Sequence, residues 1–360
     1  MKYSIFGESH GPAIGVVLEG VPAGLALDLD ALRAEMARRA PGQDPTATAR
    51  READEVHILS GFFEGKTTGA PLAMVIQNTD QHSGDYDALR YTPRPSHGDY
   101  AGFIASKGCQ DHRGGGHFSG RLTAPLVAAG AVAKQVLAQR GVEVWAHVSN
   151  IDSIWDDCFI TFTEEEDDCT QIAPREDLEA LPGKAFPVLN DAAGEKMRAH
   201  ILEVKEAGDS LGGDIECAVT GLPAGLGAPD FGKNAEGIFS QYLFAVPAVK
   251  AVGFGAGFLF SQLSGSEAND PFEVRDGKVI TKTNNAGGIN GGITNGMPVI
   301  IDVTLRPTPS IALPQKSVDL RTGEEVEIEI RGRHDPCIVP RAVPVIEAAA
   351  ALAACELLGI

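Results

Sequence analysis

Two distant stretches of the chain repeat one another: VVLEGVPAGLALD at 16–28 and CAVTGLPAGLGAPD at 217–230. Each runs from an apolar strand through G-[VL]-P-A-G-L and lies close to a helical segment. A G-x-P-x-G turn is common by itself, since proline presets φ and glycine accepts positive φ. The strand and helix around both copies favour two structurally related halves within one compact domain spanning 1–360.

Two other segments limit what those halves can enclose. LTAPLVAAGAVAKQVLAQRG (122–141) and VPRAVPVIEAAAALAACELL (339–358) are Ala-rich and apolar almost all round. Such helices are buried on several sides, and Gly141 ends the first of them. Between them the chain alternates strand pairs with helices. ALDLDALRAEMARRAPG reads as a helix capped by Asp28 or Asp30 and stopped by Pro41-Gly42. HILSGFFEGKTTGAPLAMVIQN (57–78) reads as a hairpin followed by a buried strand, and 190–207 as a helix starting at an Asn190 or Asp191 cap. Sheets flanking a helical core, an α+β arrangement, satisfy this pattern. Residues 150–185 differ: they are acidic, with five successive charges at Glu164–Asp168, and read as a solvated insertion.

Hydrophobic content of 43% and charged content of 22% over 360 residues are those of a soluble globular protein. No apolar run approaches the roughly 20 residues that span a bilayer, and MKYSIFGESHG lacks a signal-peptide core. Six scattered cysteines without a C-x-x-C pair read as reduced thiols. The expected compartment is therefore the cytoplasm, with no membrane partner. A net charge of −19 argues against nucleic acid, which needs a basic face. It also makes local basic turns informative, because counter-charges for an anionic ligand must be concentrated against the global field. RRAPG (38–42), ARRE (49–52), PRPSHGD (93–99) and DHRGGGHFSGR (111–121) are such turns.

Three of the His-bearing turns, at His10, His97 and His112–His117, raise the question of a metal. Their spacing matches neither H-x-x-x-H nor H-E-x-x-H, so no metal is expected. GGGHFSG leading into a helix instead suits an anion, with glycines exposing backbone N–H groups and the helix N-terminus adding positive potential. An ordinary turn fits the same residues. No Walker loop is present, and GFGAGF (253–258) lacks the third glycine of a dinucleotide fingerprint. NNAGGINGGITNG (284–296) and LRPTPSI (305–311) supply further glycine-rich or hydroxyl-bearing loops. Arg333, His334 and Asp335 form a polar patch just before the last helix, where Asp335 is either a turn cap or a base facing a ligand.

Taken in order, FGESHG, RRAPG, READEVHILSGFFEGKTTGAPLAMVIQNTDQ, PRPSHGDY, DHRGGGHFSGRLTA, NNAGGINGGITNG, LRPTPSI and GRHDPC resemble the chorismate synthase family. The resemblance runs from residue 5 to the last helix and is interrupted mainly near 150–185. It implies a β-α-β sandwich of helices between antiparallel sheets, usually a homotetramer. It implies the last step of the shikimate pathway: anti-1,4-elimination of phosphate and the C6 proton from 5-enolpyruvylshikimate 3-phosphate to give chorismate, with reduced FMN and no net redox change. That substrate carries roughly −3.5 to −4 charges, which accounts for arginines gathered in an acidic chain.

By motif match, His10 resembles the histidine that protonates the departing phosphate. His97 resembles the one that helps keep the reduced flavin in its protonation state, and Asp335 the aspartate that relays a proton from the flavin N5 region during C6 deprotonation. Ser9, Arg39, Arg94 and Arg121 fall on substrate positions. His117, Phe118, Ser119, Ala248, Gly291, Arg306, Pro307, Thr308, Pro309, Ser310 and Arg333 fall on flavin positions. Where family members read GRSSARETA this chain reads GHFSGRLTA, so His117 replaces an arginine and Leu122 a glutamate. Pro45 stands near a second expected arginine, and Pro247 replaces an asparagine. A neutral imidazole lacks the fixed charge and forked donors of guanidinium; Arg50, Arg51, His112 or Arg113 are candidates to compensate. The altered arginines leave open a divergent flavin-dependent lyase acting on a related phosphorylated enol ether. No nicotinamide (NADP) site is visible, which favours an external flavin reductase.

Overall fold

The computed structural model of the chain describes all residues except 43, 48–53, 80–88, 161–171 and 331–333. The first half runs β1 (Lys2–Gly7), β2 (Ala13–Glu19), α1 (Leu29–Arg39), β3 (Val56–Ser60), β4 (Phe62–Phe63), β5 (Lys66–Thr67), β6 (Leu72–Gln77), α2 (Asp99–Ala105) and α3 (Thr123–Ala138). The second begins with β7 (Glu143–Ile151), β8 (Ile154–Trp155), α4 (Arg175–Ala180), α5 (Asp191–Glu206), β9 (Gly213–Thr220), α6 (Ala235–Phe244) and β10 (Val249–Phe254). It continues through α7 (Gly265–Ala268), β11 (Phe272–Arg275), β12 (Lys278–Thr281), β13 (Ile289–Asn290), β14 (Ile293–Thr294), β15 (Val299–Leu305), β16 (Gln315–Val318), β17 (Glu325–Ile328) and α8 (Val339–Leu357).

The two main sheets have one topology. The first is ordered β1-β2-β6-β3 and the second β7-β9-β15-β10, with β8 added at the β7 edge. All the pairs are antiparallel. The repeated turns are held by matching clasps. Thr67 Oγ1 donates to the Pro22 carbonyl at 2.6 Å and accepts from Leu25 N at 3.1 Å. Thr294 Oγ1 does the same to Pro223 at 2.7 Å and from Leu226 N at 2.9 Å. Gly24 and Gly225, at φ +86° and +96°, each donate to the corresponding threonine carbonyl at 2.8 Å. Only glycine takes that backbone without strain.

Helices fill the space between the sheets. α3 packs on β2 and β6, α8 packs on β7 and β9, and α3 lies against α8 with α1 and α6 alongside. Alanine permits the close approach: a Cβ on Gly130 of α3 would sit 2.2 Å from the Ala348 Cβ of α8. One charge is enclosed there. Glu347 accepts from Arg38 at 2.6 and 2.8 Å, from the Ala146 N–H at 3.2 Å and from Lys134. The expected caps are present, with Asp28 Oδ1 accepting from Asp30 N and Ala31 N at 2.9 Å and Asn190 capping α5.

The segment read as a solvated insertion is only partly so. Its charged run at 164–168 lies outside the described residues, but its flanks fold onto the second sheet. Phe159, Ile172, Leu178 and Leu181 form a small buried cluster with Ala218 and Ile300. Acidic composition concealed these apolar residues because they are spread one by one among charges. The described cysteines are free, and no described helix is long and apolar enough to cross a membrane.

Candidate active site

A cavity of about 280 Å³ lies between the two halves. The first half contributes Arg39, Arg94, His97, Gly114 and Phe118–Thr123 without Leu122; the second contributes Val246–Ala248, Leu305–Ser310 and His334–Val345 in part. The starts of both central helices reach it, through Ser119 and Thr123 before and in α3 and Arg341 and Ala342 in α8. Helix N-termini carry partial positive charge and unpaired N–H groups. With Arg39, Arg94, Arg121, Arg306 and Arg341 on the walls, the cavity is built to hold anions.

The triple glycine joins the scattered histidines. Gly114, Gly115 and Gly116 all have positive φ, at 59°, 81° and 54°. A Cβ on Gly114 would lie 2.5 Å from the His10 ring and 2.8 Å from Ser9 Oγ; one on Gly115 would lie 3.2 Å from the His97 ring. The glycines therefore do more than expose N–H groups: they leave room for His10 and His97 to close on the same loop. His10 and Ser9 are buried directly behind Gly114.

His97 is oriented by Asp99, whose Oδ1 accepts from Nδ1 at 2.6 Å, leaving Nε2 on the Gly115 side. Asp99 also accepts from Arg94 Nε at 2.7 Å and Nη2 at 2.8 Å. Burial opposes ionisation of Asp99, but the hydrogen bonds from Arg94 and His97 outweigh it and hold its carboxyl well below the usual range. Arg94 Nη1 reaches Ser310 Oγ at 3.2 Å, tying the two halves across the cavity.

Asp54 organises the other side. Its buried carboxylate accepts from Arg39 Nη1 at 2.7 Å and from Arg121. Arg39 is further held by Thr123 Oγ1 at 3.2 Å and the Gly120 carbonyl at 3.0 Å, and Arg121 Nε by Asn78 Oδ1 at 3.1 Å. Burial, followed by opposing effects of Asp54 and the like charges of Arg341 and Arg121, pushes Arg39 down to about 10, so it remains charged at neutral pH. Asp335 accepts from Arg341 Nη1 at 2.6 Å. Ala248 sits at φ +75°, a strained backbone for alanine, and its carbonyl accepts from Arg306 N at 3.0 Å.

Of the residues singled out in the sequence, Arg39, Arg94, His97, Phe118, Ser119, Arg121, Ala248, Arg306, Pro307, Thr308, Pro309, Ser310 and Asp335 meet at this cavity, with His10 and Ser9 behind it. Two are not brought there. His117 is exposed and its Nδ1 donates to the Gly7 carbonyl at 3.1 Å. Gly291 sits in the β13–β14 turn, outside the lining. Arg333, Arg50 and Arg51 lie outside the described residues, and Arg113 is engaged with Asp111 at 2.7 Å. Asp54 escaped sequence reasoning because its partners lie 15 and 67 residues away, and Arg341 because its second partner, Arg39, belongs to the other half. Among the described residues no group of three or more His, Cys, Asp or Glu is placed to hold a metal ion.

This geometry has relatives. The chorismate synthase family profile matches residues 1–358. The chain belongs to the chorismate synthase family. A chorismate synthase of Thermococcus gammatolerans is 45% identical over 348 residues, covering 97% of this chain and 93% of that protein. One of Methanocella arvoryzae is 46% identical over 352 residues, covering 98% and 90%. A crystal structure of chorismate synthase superposes with a TM-score of 0.73 at 28% identity, covering 99% of this chain and 91% of that one. Chorismate synthases are lyases, so the chain is an enzyme of that class, and the α+β sandwich expected from its sequence is the fold it has.

Proposed function

We propose that the chain converts 5-enolpyruvylshikimate 3-phosphate to chorismate, as the last step of the shikimate pathway, using reduced FMN without net redox change. The observation that carries this reading is the convergence of two helix N-termini, five arginines, His97 and Asp335 on one cavity, with His10 one glycine behind. The residues present fit a flavin as well as a small polyanion. Phe118, Pro247, Ile338 and Val345 offer apolar walls for a ring system, and Arg306 and Ser310 offer donors. Thr308 Oγ1 and Ser9 Oγ are buried without a hydrogen-bond partner among the described residues, so each is available to a ligand.

In this reading Arg39, Arg94 and Arg121 hold the phosphate and carboxylates, with Ser9 adding a hydroxyl. His117, Phe118, Ser119, Ala248, Gly291, Arg306–Ser310 and Arg333 are assigned to the flavin by family resemblance, although His117 and Gly291 lie away from the cavity here. Reduced FMN, when bound, supplies electron density that is returned by the end of the turnover. The remaining work is done by the protein. His10 gives a proton to the phosphate as its C–O bond breaks; Asp335 takes up the proton released in C6 deprotonation as the new C=C bond forms. His97, its Nδ1–H committed to Asp99, presents Nε2 towards the ligand. A cytoplasmic homotetramer, served by an external flavin reductase, completes the proposal.

The test uses His10→Ala and Asp335→Asn. Turnover should fall at least 100-fold in each, while FMN affinity measured by fluorescence titration stays within about three-fold. A parallel loss of FMN binding would remove the proton-transfer roles assigned to them.

A further inference from the structure

Asp335 and Arg39 belong to different halves of the molecule, and one side chain touches both. Arg341, in the first turn of α8, donates from Nη1 to Asp335 Oδ2 at 2.6 Å. Its Nε donates to the main-chain carbonyl of Arg39, the last residue of α1, at 3.2 Å. The side chain is on the cavity wall and only 19% exposed. Arg39 is itself anchored to Asp54, Thr123 and Gly120. Arg341 therefore links the carboxylate to the backbone of a cation that three other contacts hold in place.

We propose that Arg341 is a positioning residue for proton removal: it fixes the Asp335 carboxylate relative to the substrate gripped by Arg39. The proposal rests on the reading of Asp335 as proton acceptor. Guanidinium stays charged throughout, so Arg341 neither gives nor takes the proton. Its contribution is geometric and electrostatic. A charge-assisted bond of this length restrains the Asp335 carboxylate in the turn before α8. Reactive groups displaced by about 1 Å lose about 100-fold in rate. The fork matters as well as the charge, because two nitrogens of one rigid plane face two acceptors. A lysine has one flexible ammonium and cannot hold both in the same geometry.

The experiment compares Arg341→Gln and Arg341→Lys with the unaltered protein, in anaerobic turnover with reduced FMN, using substrate with hydrogen or deuterium at C6. Arg341→Gln should lower kcat about 100-fold with KM changed less than about three-fold. The C6 isotope effect should rise, because proton removal becomes slower than the steps around it. Arg341→Lys should recover about ten-fold of the loss. If KM rises as much as kcat falls, Arg341 is a binding group rather than a positioning one; an unchanged isotope effect equally overturns the proposal. Should Arg341→Gln fail to fold, the isotope effect in Arg341→Lys decides alone. Retained turnover in Asp335→Asn would remove the base this proposal depends on, while product formation by the unaltered protein would still support the wider function.

Discussion

Asp54 is buried between two arginines that would otherwise repel each other across the cavity wall. Burial raises the cost of its charge, yet Arg39 and then Arg121 hold its carboxyl below the usual range. Removing one partner of such a group leaves the others uncompensated, which costs about 3–5 kcal/mol. Asp54→Asn should lower the denaturant midpoint accordingly; an unchanged midpoint would show that Arg39 and Arg121 are neutralised in another way. The residue was legible only as part of READEVHIL. Its role was not, since Arg39 and Arg121 lie 15 and 67 residues away. His117 illustrates the opposite error. The motif match puts it on a flavin position in place of an arginine near the phosphate-binding region, but its ring turns to the Gly7 carbonyl at 3.1 Å. His117→Ala is expected to leave substrate KM within about two-fold across pH 6–8; a KM that climbs with pH only when His117 is present would restore the phosphate role.

At the scale of elements, the α3–α8 contact is the joint between halves. Burial all round was readable from the alanine runs, and each cap was readable to within two residues, Asp28 or Asp30 and Asn190 or Asp191, of which Asp28 and Asn190 form the caps. The choice of partner was not, because periodicity says which faces are apolar and not what covers them. Gly130→Val would place carbon where Ala348 already stands, 2.2 Å from its Cβ for the first added atom alone. Overpacking of this kind costs about 3 kcal/mol, measurable as a lower unfolding midpoint. Full stability in that variant would mean the helices can separate freely. The repeated G-[VL]-P-A-G-L turns predicted related halves, and the Thr67 and Thr294 clasps supply the physical reason for the repeat. The matching T-x-G-x-P in TTGAPL and TNGMPV is too short to notice until the clasp is seen.

Across the whole molecule, opposite pKa shifts bound the pH range of stability. On the outer face of the second sheet, His147 Nδ1 donates to Asp156 at 2.9 Å and Nε2 to Glu216 at 2.9 Å. Burial disfavours the imidazolium, but those two hydrogen bonds prevail and push His147 up to about 9. Its contribution is therefore complete below about 6.5 and is lost as pH rises through about 9, an effect of about 3 kcal/mol. His147→Gln should flatten the fall in melting temperature over that window; an unchanged slope would place the titration elsewhere. On the acid side, Asp54, Asp99 and Glu347 are all held low despite burial, by their arginine, histidine or lysine partners. Their contribution is present above about pH 4 and lost as pH falls further.

The central claim concerns chemistry, and one measurement reaches it directly. Under strictly anaerobic conditions the purified chain is incubated with reduced FMN and 5-enolpyruvylshikimate 3-phosphate, and chorismate and free phosphate are followed together. The account predicts one phosphate for each chorismate, many turnovers per flavin, and flavin still reduced at the end. No chorismate at any substrate concentration, or flavin oxidised in step with product, would contradict it.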